Sequence, residues 1–294
     1  MTDPFTLVGI RAPAPAAPAA KRRTLRGGDI ASAVVLALIL LGCTLIPFFL
    51  SQDPAHMELR STSAAPSRAF PFGTDTMGRD IFAMIWSGGR VSLFIGLCSA
   101  ALSTAIAVLY GALSGCAPDW LDALLMRAVE LILCVPSLLL VVFLQALLGK
   151  PSVLSLSLVL GLTGWMSIAK VVRSEVRRLR SCDYVLAAKC MGGGFFHVLW
   201  THLLPNFLPS ILFMIVMNIR SAIVTESTLS FMGIGLPLEV ISWGSMLSLA
   251  EKALLTRAWW ILILPGVFLI TTLLCITNLA NALRRRSAAR QSSL

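Results

Sequence analysis

The chain has 294 residues, 57% of them hydrophobic and 13% charged, with a formal net charge of +10. Soluble domains carry about 25% charged residues, which excludes a dissolved globular protein and implies an all-α integral membrane protein. The positive charge does not point to nucleic acid. Its clusters (Lys21-Arg22-Arg23 with Arg26, Lys170 to Arg180, Arg284-Arg285-Arg286 with Arg290) each abut an apolar run and carry no interleaved aromatic residues. That is the pattern of cytoplasmic flanks rather than of a base-stacking surface.

In chain order, residues 1–28 form a polar, Ala/Pro-rich tail expected to be disordered. The first apolar run, 29–50, has no obvious A-x-A cleavage site and reads as a retained span, with a cleaved signal peptide the minor alternative. A span needs about 20 mostly apolar residues. Five more are expected near 91–113, 121–148, 152–172, 206–227 and 258–281, and Pro136 predicts a kink in the third. Six crossings starting from an inner amino-terminal tail bring the basic tail 284–294 back inside. The segment 51–89 then lies outside, with three Arg and four acidic residues. The loop 173–205 lies inside, with the positive excess of the positive-inside rule. A third stretch, 228–257, lies outside and contains Gly233, Gly235, Pro237 and Gly244. It is expected to form a re-entrant turn and short helix over the mouth of the bundle. Residues 90–283 make up the membrane core. Seven cysteines show no CxxC spacing and read as small packing residues.

The inner loop is the most informative segment. Arg173 to Met191 contains neither proline nor glycine and predicts one helix; Gly192, Gly193 and Gly194 stop it. Phe195 to Leu203 predicts a second short helix, and Pro205 suits the first turn of span five. Asp183, Tyr184 and Val185 would add polar and apolar contacts, while Ala187 and Ala188 offer a face of little bulk that a partner can approach. Composition leaves two readings open: docking to a partner, or an amphipathic helix lying on membrane lipid.

Four blocks in order resemble the second permease subunit of peptide and nickel ABC importers, over roughly residues 70 to 280. Outside, Gly73-Thr74-Asp75 with Gly78-Arg79-Asp80 is followed by Gly89-Arg90-Val91-Ser92-Leu93. Span three carries Met126-Arg127, Glu130 and Pro136. The loop matches through Ala187, Ala188, Gly192, His202, Leu204, Pro205 and Asn206. Beyond span five come Glu226, Leu229-Ser230-Phe231-Met232-Gly233-Ile234-Gly235 and Ser242-Trp243-Gly244-Ser245-Met246-Leu247. Two departures stand out. Leu186 replaces the acid that usually opens the loop motif, and Asn278-Leu279-Ala280-Asn281-Ala282 replaces an acidic and glycine pattern near the end.

The resemblance implies a type I ABC importer permease fold: six transmembrane helices and a cytoplasmic coupling helix–turn–helix, in the bacterial cytoplasmic (inner) membrane with both termini cytoplasmic. It also implies partners. Two ABC ATPase subunits would hold ATP and Mg and grip the loop through Asp183, Tyr184, Val185, Ala187, Ala188, Gly192, His202 and Pro205. A homologous second permease subunit would complete the pore, and an extracytoplasmic substrate-binding protein would deliver cargo. The frame is shared by carriers of peptides, nickel, other metal complexes and opines. No cofactor or catalytic residue is expected in this chain. Its one Gly-Lys pair, Gly149-Lys150, has Leu144 where a phosphate loop needs glycine and Pro151 where it needs Ser or Thr.

Polar residues within span five mark the translocation path, because a charge at a span centre is costly. Arg220 is expected either to face the path and meet a substrate carboxylate, or to pair within the bundle or snorkel outward. Asn218 and Glu226 are further candidates, Asn218 with a packing hydrogen bond as the alternative and Glu226 read first as a brace of the re-entrant segment. Asp75 and Asp80 read as parts of a structural turn seating span two, with metal binding the minor alternative. His56, His197 and His202 form no metal motif. An ion-driven secondary transporter remains the competing class, although no doubled or inverted halves are visible; an intramembrane hydrolase lacks its nucleophile and base.

Overall fold

The computed structural model describes residues 27–49, 53–237, 239–253 and 258–291. The tail at 1–26, with its basic cluster, and residues 292–294 lie outside the described residues. Helix α1 (Gly27–Phe49) is the first apolar run. A 3-10 turn at Leu59–Ser61 follows, and then the glycine-rich block. There the Asp75 carboxylate accepts the Arg79 Nε–H at 2.7 Å and the backbone N–H of Met77 and Arg79. Asp80 pairs with Thr74 and caps the next helix by accepting the Phe82 N–H at 3.0 Å. The expected structural turn is what these carboxylates build.

Helix α2 (Ile81–Cys116) starts ten residues before the expected 91. Gly88 and Gly89 lie within this helix. A Cβ on Gly89 would stand 2.6 Å from the Cys43 sulfur and from the Trp243 ring, so glycine serves close packing here.

The third span is two helices, α3 (Asp119–Leu133) and α4 (Ser137–Leu148), meeting at 90°. Pro136, lacking an N–H and clashing with the preceding turn, ends the first outright instead of kinking it. The fourth is α5 (Val153–Gly164) and α6 (Met166–Leu179), bent by 43° at Trp165. The helix expected from Arg173 to Met191 is therefore divided. Residues to Leu179 continue the span, the chain turns at 180–182, and α7 (Asp183–Cys190) begins anew. No proline or glycine marks that turn. A tertiary contact holds it: Arg180 Nη1 donates to the Gly115 carbonyl at 2.9 Å.

Gly192, at φ 85°, ends α7 as expected. The second loop helix, α8 (Phe195–Val198), is not separate from span five. A π-helical turn at Leu199–Leu203 carries it straight into α9 (Leu204–Phe231). Pro205 does fall in the first turn of α9, but that turn has no free end; the wider turn, in which the Leu204 N–H reaches back to the Leu199 carbonyl, accommodates a ring with no N–H to give. Past Phe231 come the expected turn and short helix, α10 (Trp243–Ala253), and then α11 (Trp260–Gln291), which runs beyond the expected 281.

Among the described residues four helices are long and apolar enough to cross a membrane, and counting each bent pair as one span makes six. Helix α2 is the axis, packed on α5, α6 and α9. Helix α1 is tied to α11 through Arg285 and Asp29 at 2.6 Å, and through the Asn278 amide donating to Ser32 at 3.0 Å.

Candidate functional site

The hairpin of α7 and α8 is seated by one face and open on the other. Val185 and Ala188, one turn apart on α7, are buried in a cluster with Val176, Leu199, Leu203 and Phe207. These two therefore do not offer themselves to a partner, contrary to the sequence expectation; they pack α7 against α8 and the π turn, in an apolar cluster that also takes in residues of α2, α6 and α9. Asp183, Tyr184, Leu186, Ala187 and Gly192 face outward, as does Met191 at 83% exposure. His202 is half-buried behind them, with its ring 6.3 Å from Tyr184 and 6.0 Å from His197. Pro205 is exposed on the continuation of the same helix.

Beside the hairpin lies an ionic knot that sequence reasoning missed. The buried Asp122 takes both the Nε–H and an Nη–H of Arg173, accepts from Ser114, and pairs with Arg177 at 2.8 Å. Arg177 also reaches Asp119 at 2.8 Å. Helices α2, α3 and α6 are thereby locked together. The available signal was spacing: Arg173 and Arg177 share one helix face, and Asp119 and Asp122 share another.

Within the membrane region, a cavity of about 740 Å³ opens where the α3–α4 break, the α5–α6 bend and the middle of α9 meet. Arg220 and Asn218 both line it. Asn218 also does the packing work named as its alternative. Its amide donates to Ser103 on α2, and its oxygen lies where a Cβ on Gly164 would come within 2.9 Å. Arg220 makes no hydrogen bond or ion pair with any described residue and is the single charged side chain in the lining.

Glu226 does not line that cavity and takes up the packing role named as its alternative. Fully buried, it accepts hydrogen bonds from Ser242 at 2.7 Å, Ser230 at 3.0 Å, Ser92 at 3.1 Å and Ser227 at 3.3 Å. The carboxylate braces α2, α9 and the entry to α10. Ser92 in turn accepts the Trp243 N–H, and the Trp243 indole donates to the Ile85 carbonyl at 3.0 Å.

Residues 107–289 match the family model of the binding-protein-dependent transport system inner membrane component. The chain belongs to that family. The permease is 35% identical to the oligopeptide transport system permease protein OppC of Bacillus subtilis (strain 168), over 85% of this chain and 82% of that one. It is 33% identical to the dipeptide transport system permease protein DppC of the same organism, over 89% and 82%. To the OppC protein of Haemophilus influenzae it is 32% identical, over 90% and 86%. The permease is thus a non-catalytic membrane subunit of an ABC importer, with the type I permease fold. This assignment lends nothing to the ion-driven alternative.

Proposed function

We propose that the permease imports short peptides, driven by ATPase subunits that grip the outward face of the 183–205 hairpin. The peptide reading is supported by relatives named for oligopeptide and dipeptide transport that cover more than four-fifths of the chain. The coupling reading rests above all on the two-sidedness of α7, buried at Val185 and Ala188 and open at Tyr184, Leu186 and Ala187. A helix fixed along one side moves with the bundle, so force applied to its free side reaches α2, α6 and α9 without loss in a flexible joint.

The assembly has two ATPase subunits that hold ATP and Mg, a homologous permease subunit that closes the other half of the pore, and a substrate-binding protein on the outer face. Both termini lie in the cytoplasm, beneath the inner membrane. The exposed apolar stretch around the α3–α4 break, with Leu131 at 71% and Leu139 at 63% exposure, suits burial against lipid and the second subunit. In this scheme Asp183, Tyr184, Leu186, Ala187 and Gly192 touch the ATPase. Val185, Ala188, His202 and Pro205 position that contact, and Arg220 with Asn218 lies along the path.

The test is co-purification and reconstitution. The chain alone should hydrolyse no ATP, and the complete complex should hydrolyse it faster when a peptide-loaded binding protein is added. Peptide uptake driven by an ion gradient, with no ATPase subunit present, would sink the reading.

A further inference from the structure

We propose that Arg220 reads the free carboxylate of the passing peptide and turns bare divalent cations away from the cavity. The inference rests on the peptide-importer reading and adds a specificity-determining residue to it.

The cavity lining holds one positive charge and no Asp, Glu, Lys or His. A guanidinium near the middle of a span is costly unless it is paired or wetted, and this one has no partner among the described residues. The next acid along α9, Glu226, is fully buried and directs its oxygens at four serines. Arg220 therefore keeps its planar fork of donors for something that enters, and a carboxylate is the group that matches that fork.

The rest of the wall fits varied side chains rather than one shape. Met166, Met214 and Met217 line it with flexible, polarisable thioethers, which adapt to different apolar partners. Ser137, Ser167 and Ser221 leave exposed hydroxyls around them for the peptide backbone. A hard divalent cation finds none of the carboxylate oxygens it requires. Among the described residues no three His, Cys, Asp or Glu side chains gather as a metal-holding group, and the fixed charge of Arg220 opposes a cation in the same space.

The experiment uses the complete importer in proteoliposomes and compares uptake of a labelled dipeptide with that of its carboxyl-terminal amide. The ratio is taken for the native protein and for Arg220→Ala, Arg220→Gln and Arg220→Lys, so that the binding protein's own preference divides out. The expected result is a free-acid-to-amide ratio that falls roughly tenfold in the Ala and Gln variants, the scale of one hydrogen-bonded charge pair, and is largely kept in Lys. An unchanged ratio in either neutral variant, at membrane levels matching the native protein, overturns the role of Arg220 while leaving peptide import standing. Absence of any peptide uptake by the native complex overturns the peptide reading instead. Uptake of free nickel at the rate of the peptide overturns the exclusion of cations.

Discussion

Asp122 and Arg173, 51 residues apart in sequence, form a two-toothed clamp in which both carboxylate oxygens accept from one guanidinium. The clamp fixes the start of α3 to the middle of α6, about two turns before the chain turns at 180–182. Part of the basic run from Lys170 to Arg180 is thus internal structure and not a charge facing lipid or cytoplasm.

Breaking that clamp strands a charge. Asp122→Ala should destabilise the protein by about 2–3 kcal/mol, because Arg173 and Arg177 lose a buried partner. The double variant Asp122→Ala with Arg173→Ala should cost less than the sum of the two single changes. Thermal unfolding of the four proteins in detergent measures this. Strict additivity would show that the clamp carries no coupling energy.

The two faces of α7 should respond oppositely. Val185→Asp places an uncompensated charge in a sealed apolar cluster and should lower the amount of folded protein in the membrane. Leu186→Glu lies on the outward face, where Leu186 is 46% exposed, and should leave thermal stability within about 0.5 kcal/mol. It also restores the acid usual at this point of the motif, so ATPase recovery on the purified permease and peptide uptake should rise. A fall in both at normal membrane levels would count against docking through this face.

Removing the Glu226 carboxylate should loosen the junction of α2, α9 and the entry to α10. Glu226→Ala leaves Ser92, Ser230 and Ser242 without their shared acceptor, a loss of about 1–3 kcal/mol for each buried group left unpaired. Glu226→Gln keeps one acceptor oxygen and should be milder. Proteolysis within the 232–242 turn would report it, with the order native, Gln, Ala in increasing rate; equal rates would rule out a brace.

Much of this architecture is legible in the chain because long apolar runs and positive flanks are strong signals. Among the described residues apolar helices lie at all six expected places, four long enough to cross alone and two as bent pairs, and α7 stops at Gly192 as the glycine run implies. The errors share a cause. The turn at 180–182 has no local signal at all, since it depends on Arg180 reaching Gly115 across 65 residues. Val185 and Ala188 looked like contact residues until the hairpin's seat on α2, α6 and α9 revealed which side was covered. Local patterns announce helices; which face is free is decided by neighbours distant in sequence.

Gly89 gives a direct check on the clearance argument. Gly89→Val should destabilise by about 1–3 kcal/mol through overpacking against the Trp243 ring and the Cys43 sulfur. Partial relief is expected from Cys43→Ala in the same protein, measured as a rise in melting temperature.

The central claim, that the ATPases dock on the outward face of α7, is tested most directly by site-specific cross-linking in the assembled complex. Leu186→Cys and Val185→Cys would be compared in a background where Cys134, Cys182 and Cys190 are serine, using a short bifunctional thiol reagent. The account predicts that position 186 joins the permease to an ATPase subunit and that position 185, at 0% exposure, does not. Absence of any ATPase cross-link from 186, with the complex intact and transporting, would contradict it.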